Sequence, residues 1–139
     1  MGNNSLTTTK LMKLLKENPD EFIKIQFDEF ISLPELLTKL SRQANISKPD
    51  LVILTGVSKS YIYQIFKGTF IPGRNMLLKI AIVLKTSVED TQRLLTLAKQ
   101  SVLYPKIRRD AALIVCISQK YSLSETNDFL THIGEDFLV

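Results

Sequence analysis

Between Ser47 and Gly68 the chain reads SKPDLVILTGVSKSYIYQIFKG, and its side chains have types and spacing that can do chemistry. Lys59, Ser60, Tyr63, Gln64 and Lys67 recur on one face of a helix, with Ile62, Ile65 and Phe66 on the other. A helix seated on a core by its apolar face can offer the opposite face's donors and acceptors to base-pair edges in a major groove. Gly56-Val57-Ser58 precedes that helix. Glycine at 56 predicts a left-handed helix stop, Val57 a residue packed beneath the corner, and Ser58 a cap for the next helix. Leu51, Val52 and Leu54 supply the apolar positions of the helix before the turn.

These residues resemble the helix-turn-helix of the lambda-repressor/Cro-like (XRE) DNA-binding domains. The likeness runs on through Gly68, Pro72 and Arg74 to Leu77-Leu78-Lys79-Ile80-Ala81, so that it covers roughly Ser32–Gln100. It departs at Val52, where the family usually has alanine. The resemblance implies an all-α fold built on a five-helix core, and double-stranded DNA as the partner. It makes Lys59–Lys67 the recognition helix, with Lys59, Ser60, Tyr63 and Gln64 as base-contacting positions. Lys59 can then donate to guanine O6/N7, and Gln64 can pair bidentately with adenine N6/N7. Ser60 can meet a base or a phosphate, and Tyr63 a phosphate or a thymine methyl. Lys48, Ser58, Lys67, Arg74 and Lys79 are the implied phosphate contacts, which position without specifying. The implied function is sequence-specific regulation of transcription in the manner of a repressor, from a prokaryote or a phage.

Charge points the same way. Residues 39–109 hold thirteen Lys or Arg and three acids, whereas both flanks are net acidic. The chain as a whole is only +4. A positive block that coincides with a helix-turn-helix is the footprint expected of a phosphate-binding surface.

Several function classes find no support. No run of about 18 apolar residues is present, so no membrane partner is expected. The start MGNNSLTTTK has neither a signal-peptide pattern nor, with Leu6, an acylation pattern. A single cysteine, Cys116, cannot form an internal disulfide and sits in the apolar AALIVCI, as a small buried hydrophobe would. His132 is the only histidine. No metal spacing, phosphate loop or nucleophile elbow occurs, so neither a cofactor nor an enzyme is expected. A cytoplasmic, nucleoid-associated protein is the expectation.

The elements that must position this face are legible from their starts. Ser32/Glu35, Ser47/Asp50, Ser87/Asp90 and Ser122/Glu125 each have the spacing of a capping box. They divide the chain into helices near Leu33–Ala44, Lys48–Thr55, Lys59–Lys67, Arg74–Leu84 and Val88–Gln100, then Lys106–Lys120 and Leu123–Ile133. An earlier helix spans about Thr8–Lys16, before the stop at Asn18-Pro19-Asp20. Phe22–Phe30 fits either a strand or a helical turn; without a partner strand, helix or irregular structure is expected. The organisation is an N-terminal helical extension (1–31), a helix-turn-helix domain (32–100) and a C-terminal helical extension (101–139).

That last extension can serve dimerisation or packing, with Phe129, Phe137, Leu138 and Val139 as exposed anchors of a homodimer. Arg108 and Arg109 can contact DNA or pair with the acidic tail, and of the two an internal salt bridge is the expectation. The alternative function is a protein-interaction module, such as an antitoxin or adaptor, whose acidic C-terminal helices bind a protein partner.

Overall fold

A computed structural model describes residues 7–26 and 30–139. Among them are eight α-helices, one 3-10 helix and no strand. The helices are α1 (Thr8–Glu17), α2 (Leu33–Ala44), α3 (Lys48–Thr55), α4 (Lys59–Lys67), α5 (Arg74–Val83), α6 (Val88–Leu97), α7 (Arg108–Ser118) and α8 (Leu123–His132). The fold is all-α, as expected.

Capping chemistry explains most of the boundaries. At Ser47 and Ser122 the serine hydroxyl accepts from the backbone N–H three residues on, and the acid there accepts from the serine N–H. Ser87 closes only half of such a box, because the Asp90 carboxylate turns to Arg93 at 3.1 Å instead. The helix ends are less conventional. Asn45, Lys85, Lys99 and Lys120 occupy the left-handed position after α2, α5, α6 and α7, where glycine is the usual occupant.

The chain forms two compact units, one ending at Ser32 and the other comprising Leu33–Val139. In the first, α1 is followed by a 3-10 helix over Pro19–Lys24, and neither buries a residue. The 3-10 helix takes in Phe22, Ile23 and Lys24, so this part of Phe22–Phe30 is helical; residues 27–29 lie outside the described residues.

In the second unit α2 packs on α4 and α6, and α3 packs on α4 and α5. Leu36, Leu37, Leu51, Ile62, Ile65, Leu77, Leu78, Leu94 and Leu95 meet there with no exposed surface. Each such side chain contributes on the order of 1.5–3 kcal/mol. α5 and α6 also receive α8 and α7 respectively, which pack on each other. Leu113, Cys116 and Leu130 are fully buried. Burial pushes the Cys116 thiol up from its ordinary value, so it stays protonated at neutral pH.

Side-chain amides stitch the loops to the helices. Gln92 donates to the Leu103 carbonyl and accepts from its N–H, at 2.9 and 2.8 Å. Asn127 holds Leu138 in the same two-bond manner, at 3.3 and 2.8 Å. That grip corrects one expectation: Leu138 is only 3% exposed and cannot be a surface anchor. Phe129 is half-buried, its ring edge-on to Tyr121 at 6.3 Å, while Phe137 and Val139 remain exposed.

Candidate nucleic-acid interface

The corner between α3 and α4 is built from four consecutive residues. Gly56 ends α3 at φ +75°, and its N–H donates to the Val52 carbonyl. No heavy atom lies within 4 Å of where its Cβ would be, so conformation rather than space selects glycine. Thr55 is buried and does two jobs. Its hydroxyl donates to the Leu51 carbonyl at 2.5 Å and accepts the Val57 N–H at 3.1 Å. Val57 is buried beneath the corner, and Ser58 accepts the Tyr61 N–H at 3.2 Å. Sequence reasoning misses the contribution of Thr55; its only signal there is a threonine one residue before the turn glycine.

α4 ends as firmly as it begins. Gly68 sits at φ +88°, its N–H reaching the Gln64 and Ile65 carbonyls. A Cβ there would stand 3.3 Å from the Pro34 Cγ. Between these two ends Ile62, Ile65 and Phe66 are buried, and Lys59, Ser60, Tyr63 and Lys67 are exposed, with Gln64 half-exposed beside them. Val52 is half-buried on α3, next to the fully buried Leu51, so the larger side chain is accommodated at the edge of the core.

The exposed residues are organised among themselves. The Gln64 Nε2 donates to the Ser60 Oγ at 2.8 Å. The Tyr63 ring collects two ammonium groups, Lys48 from α3 at 5.2 Å and Lys59 from its own helix at 5.6 Å. Lys48 also lies 5.7 Å from the Phe66 ring. Such contacts contribute about 0.5–1 kcal/mol each at exposed sites. They bring Lys48 and Lys59 to one aromatic platform, although the two come from different helices. Tyr61 stacks on Phe70 at 4.7 Å, outside this group.

The positive block divides into two sets. Lys67 and the half-buried Lys79 have no carboxylate partner among the described residues. Arg74 departs from its expected phosphate role. Its guanidinium grips Asp110 bidentately at 3.1 and 3.0 Å and donates to the Ser101 and Val102 carbonyls, which engages four of its five N–H donors within the protein. Arg108 pairs with Glu135 at 3.2 Å, and Arg109 donates to the Asp136 carbonyl and to Asn75. The arginines therefore bind the C-terminal helices inward, while the lysines of α3 and α4 stay on the outer face.

Burial alone would raise the Asp110 carboxyl. The Arg74 hydrogen bonds, the Tyr104 N–H and the nearby Arg109 charge outweigh it and hold the group below its ordinary range.

Residues 54–90 match the family model described as Helix-turn-helix. The match takes in the end of α3, the turn, α4, α5 and the first turn of α6. No match was found among curated proteins or among solved structures. A left-handed glycine corner, a helix with a buried apolar face and a polar outer one, and this match together identify a helix-turn-helix within residues 54–90, similar to that of the lambda-repressor/Cro-like (XRE) DNA-binding domains.

Proposed function

We propose that this protein is a sequence-specific transcriptional regulator, repressor-like, that lays α4 in the major groove of double-stranded DNA. The observation that carries this reading is the outer face of α4, where Lys59, Ser60, Tyr63 and Gln64 stand together above fully buried Ile62 and Ile65. Lys59 and Gln64 face base edges, and Tyr63 holds Lys59 and Lys48 at the groove's rim. Lys48, Ser58, Lys67 and Lys79 face the phosphates. Ser58 accepts the Tyr61 N–H and keeps its own O–H to donate.

One helix of nine residues reads only a few base pairs, so a homodimer on two half-sites is part of the proposal. The competing protein-interaction module, working through acidic C-terminal helices, has less to offer a partner. Asp110 and Glu135 are already paired with Arg74 and Arg108.

Selection of bound duplexes from a random library tests the proposal. An enriched motif with two half-sites about one helical turn apart supports it. Recovery of unenriched duplexes contradicts the specific reading, and a single half-site contradicts the dimer.

A further inference from the structure

The Ser60–Gln64 hydrogen bond assigns the two residues different tasks. A glutamine amide has two N–H donors and a carbonyl acceptor. Reading adenine in the major groove uses the carbonyl, which accepts from N6, and one N–H, which donates to N7. The second N–H is left over. In water it would be solvated at no cost, but in a groove emptied of water an unpaired donor weakens the contact. In this protein that second N–H already has a partner, the Ser60 Oγ at 2.8 Å, one helical turn back on the same face. With Nε2 toward Ser60, the Gln64 carbonyl is left to accept from the adenine N6. A reversed amide could still accept the Ser60 O–H, but it would set its own donor against the adenine N6 donor.

We propose that Ser60 is a positioning residue: it acts on base choice through Gln64 rather than by touching DNA itself. This rests on Gln64 being an adenine reader, and the test separates the two. Ser60 is exposed on α4, so alanine there removes the hydroxyl without opening the core.

The experiment measures affinity of the full chain, with Ser60→Ala, Ser60→Thr, Gln64→Ala and the double Ser60→Ala/Gln64→Ala variants, on two duplexes. One carries the selected site; the other differs at the base pair whose preference Gln64→Ala abolishes. Ser60→Ala is expected to reduce the ratio of the two affinities roughly five- to tenfold, the effect of one unsatisfied donor. Ser60→Thr, which keeps the acceptor, restores the ratio, and Ser60→Ala changes nothing further in the Gln64→Ala background. Equal weakening on both duplexes, or the same loss in the Gln64→Ala background, would overturn the positioning role and give Ser60 its own DNA contact. If Gln64→Ala leaves every base preference intact, the adenine reading itself fails, and the inference with it.

Discussion

Lys85 and Lys120 cap each other's helices. The Lys85 ammonium donates to the Lys120 carbonyl at 2.6 Å, and the Lys120 ammonium donates to the Lys85 carbonyl at 2.8 Å. Both residues are left-handed, at φ 56° and 59°, each just beyond the end of its helix. Two positive groups thus sit where two helices, α5 and α7, end in partial negative charge and unpaired carbonyls. Each bond compensates for the strain of placing a side chain where glycine is usual.

The exchange predicts two separate losses. Lys85→Ala and Lys120→Ala should each cost about 1 kcal/mol of unfolding free energy in urea. Each substitution leaves the main-chain carbonyl that accepts the other ammonium, so the double variant should lose about the sum of the two. No loss in either single variant would mean that the reciprocal bonds are not formed in solution.

The Arg74–Asp110 pair predicts an acid limit to stability. A carboxylate held below its ordinary range in the folded state stabilises the fold above that range, and the contribution is lost as pH falls through the folded value. Asp50 and Glu125, lowered chiefly by the Ser47 and Ser122 backbone N–H groups, act in the same direction. Thermal melts from pH 7 downward should therefore fall steeply once the ordinary carboxylate range is passed. Asp110→Asn should be less stable at pH 7 and flatter below. Arg74→Ala, which strands a carboxylate whose side chain is 4% exposed, should cost about 3 kcal/mol.

Thr55 makes the corner a hydrogen-bonding problem as well as a glycine problem. Thr55→Val keeps the shape but removes the acceptor of the buried Val57 N–H. A loss of about 1–3 kcal/mol is expected by chemical denaturation, with Thr55→Ser losing clearly less. Gly56→Ala, which forces a Cβ into the left-handed region, should cost about 1–2 kcal/mol without any steric clash.

Tyr63 should act on DNA through its ring. Tyr63→Phe keeps the platform for Lys48 and Lys59 and should bind duplex nearly as wild type. Tyr63→Leu removes it and should weaken binding by about 0.5–1 kcal/mol for each lysine released, on all sequences alike through Lys48 and at its own base pair through Lys59. A loss confined to one base pair would instead make the tyrosine a base reader.

How much of this is legible in the sequence differs by level. Helix starts are readable because capping is local: Ser47, Ser58, Ser87 and Ser122 each cap the helix expected after them. Several helices end a few residues sooner than their apolar pattern suggests, because α5, α6 and α7 stop at left-handed lysines rather than at glycine or proline. The two faces of α4 are set by spacing alone. What spacing cannot give is which long cation finds a partner far along the chain. Arg74 meets Asp110 thirty-six residues later, and Lys85 meets Lys120 thirty-five residues later. For the same reason Leu138, near the end of the chain and apolar, reads as an exposed anchor until Asn127 is seen to hold it in.

Whether α4 reads DNA is decided by the affinity for the selected duplex across a salt series, for wild type, Lys67→Ala and Gln64→Ala. A steep fall with rising salt is expected, with a slope shallower by about one in Lys67→Ala and an unchanged slope in Gln64→Ala. Gln64→Ala should instead lose roughly 1–3 kcal/mol of discrimination at a single base pair. A salt-independent affinity, or a Gln64→Ala variant with wild-type preference at every position, would contradict α4 as the element that reads DNA.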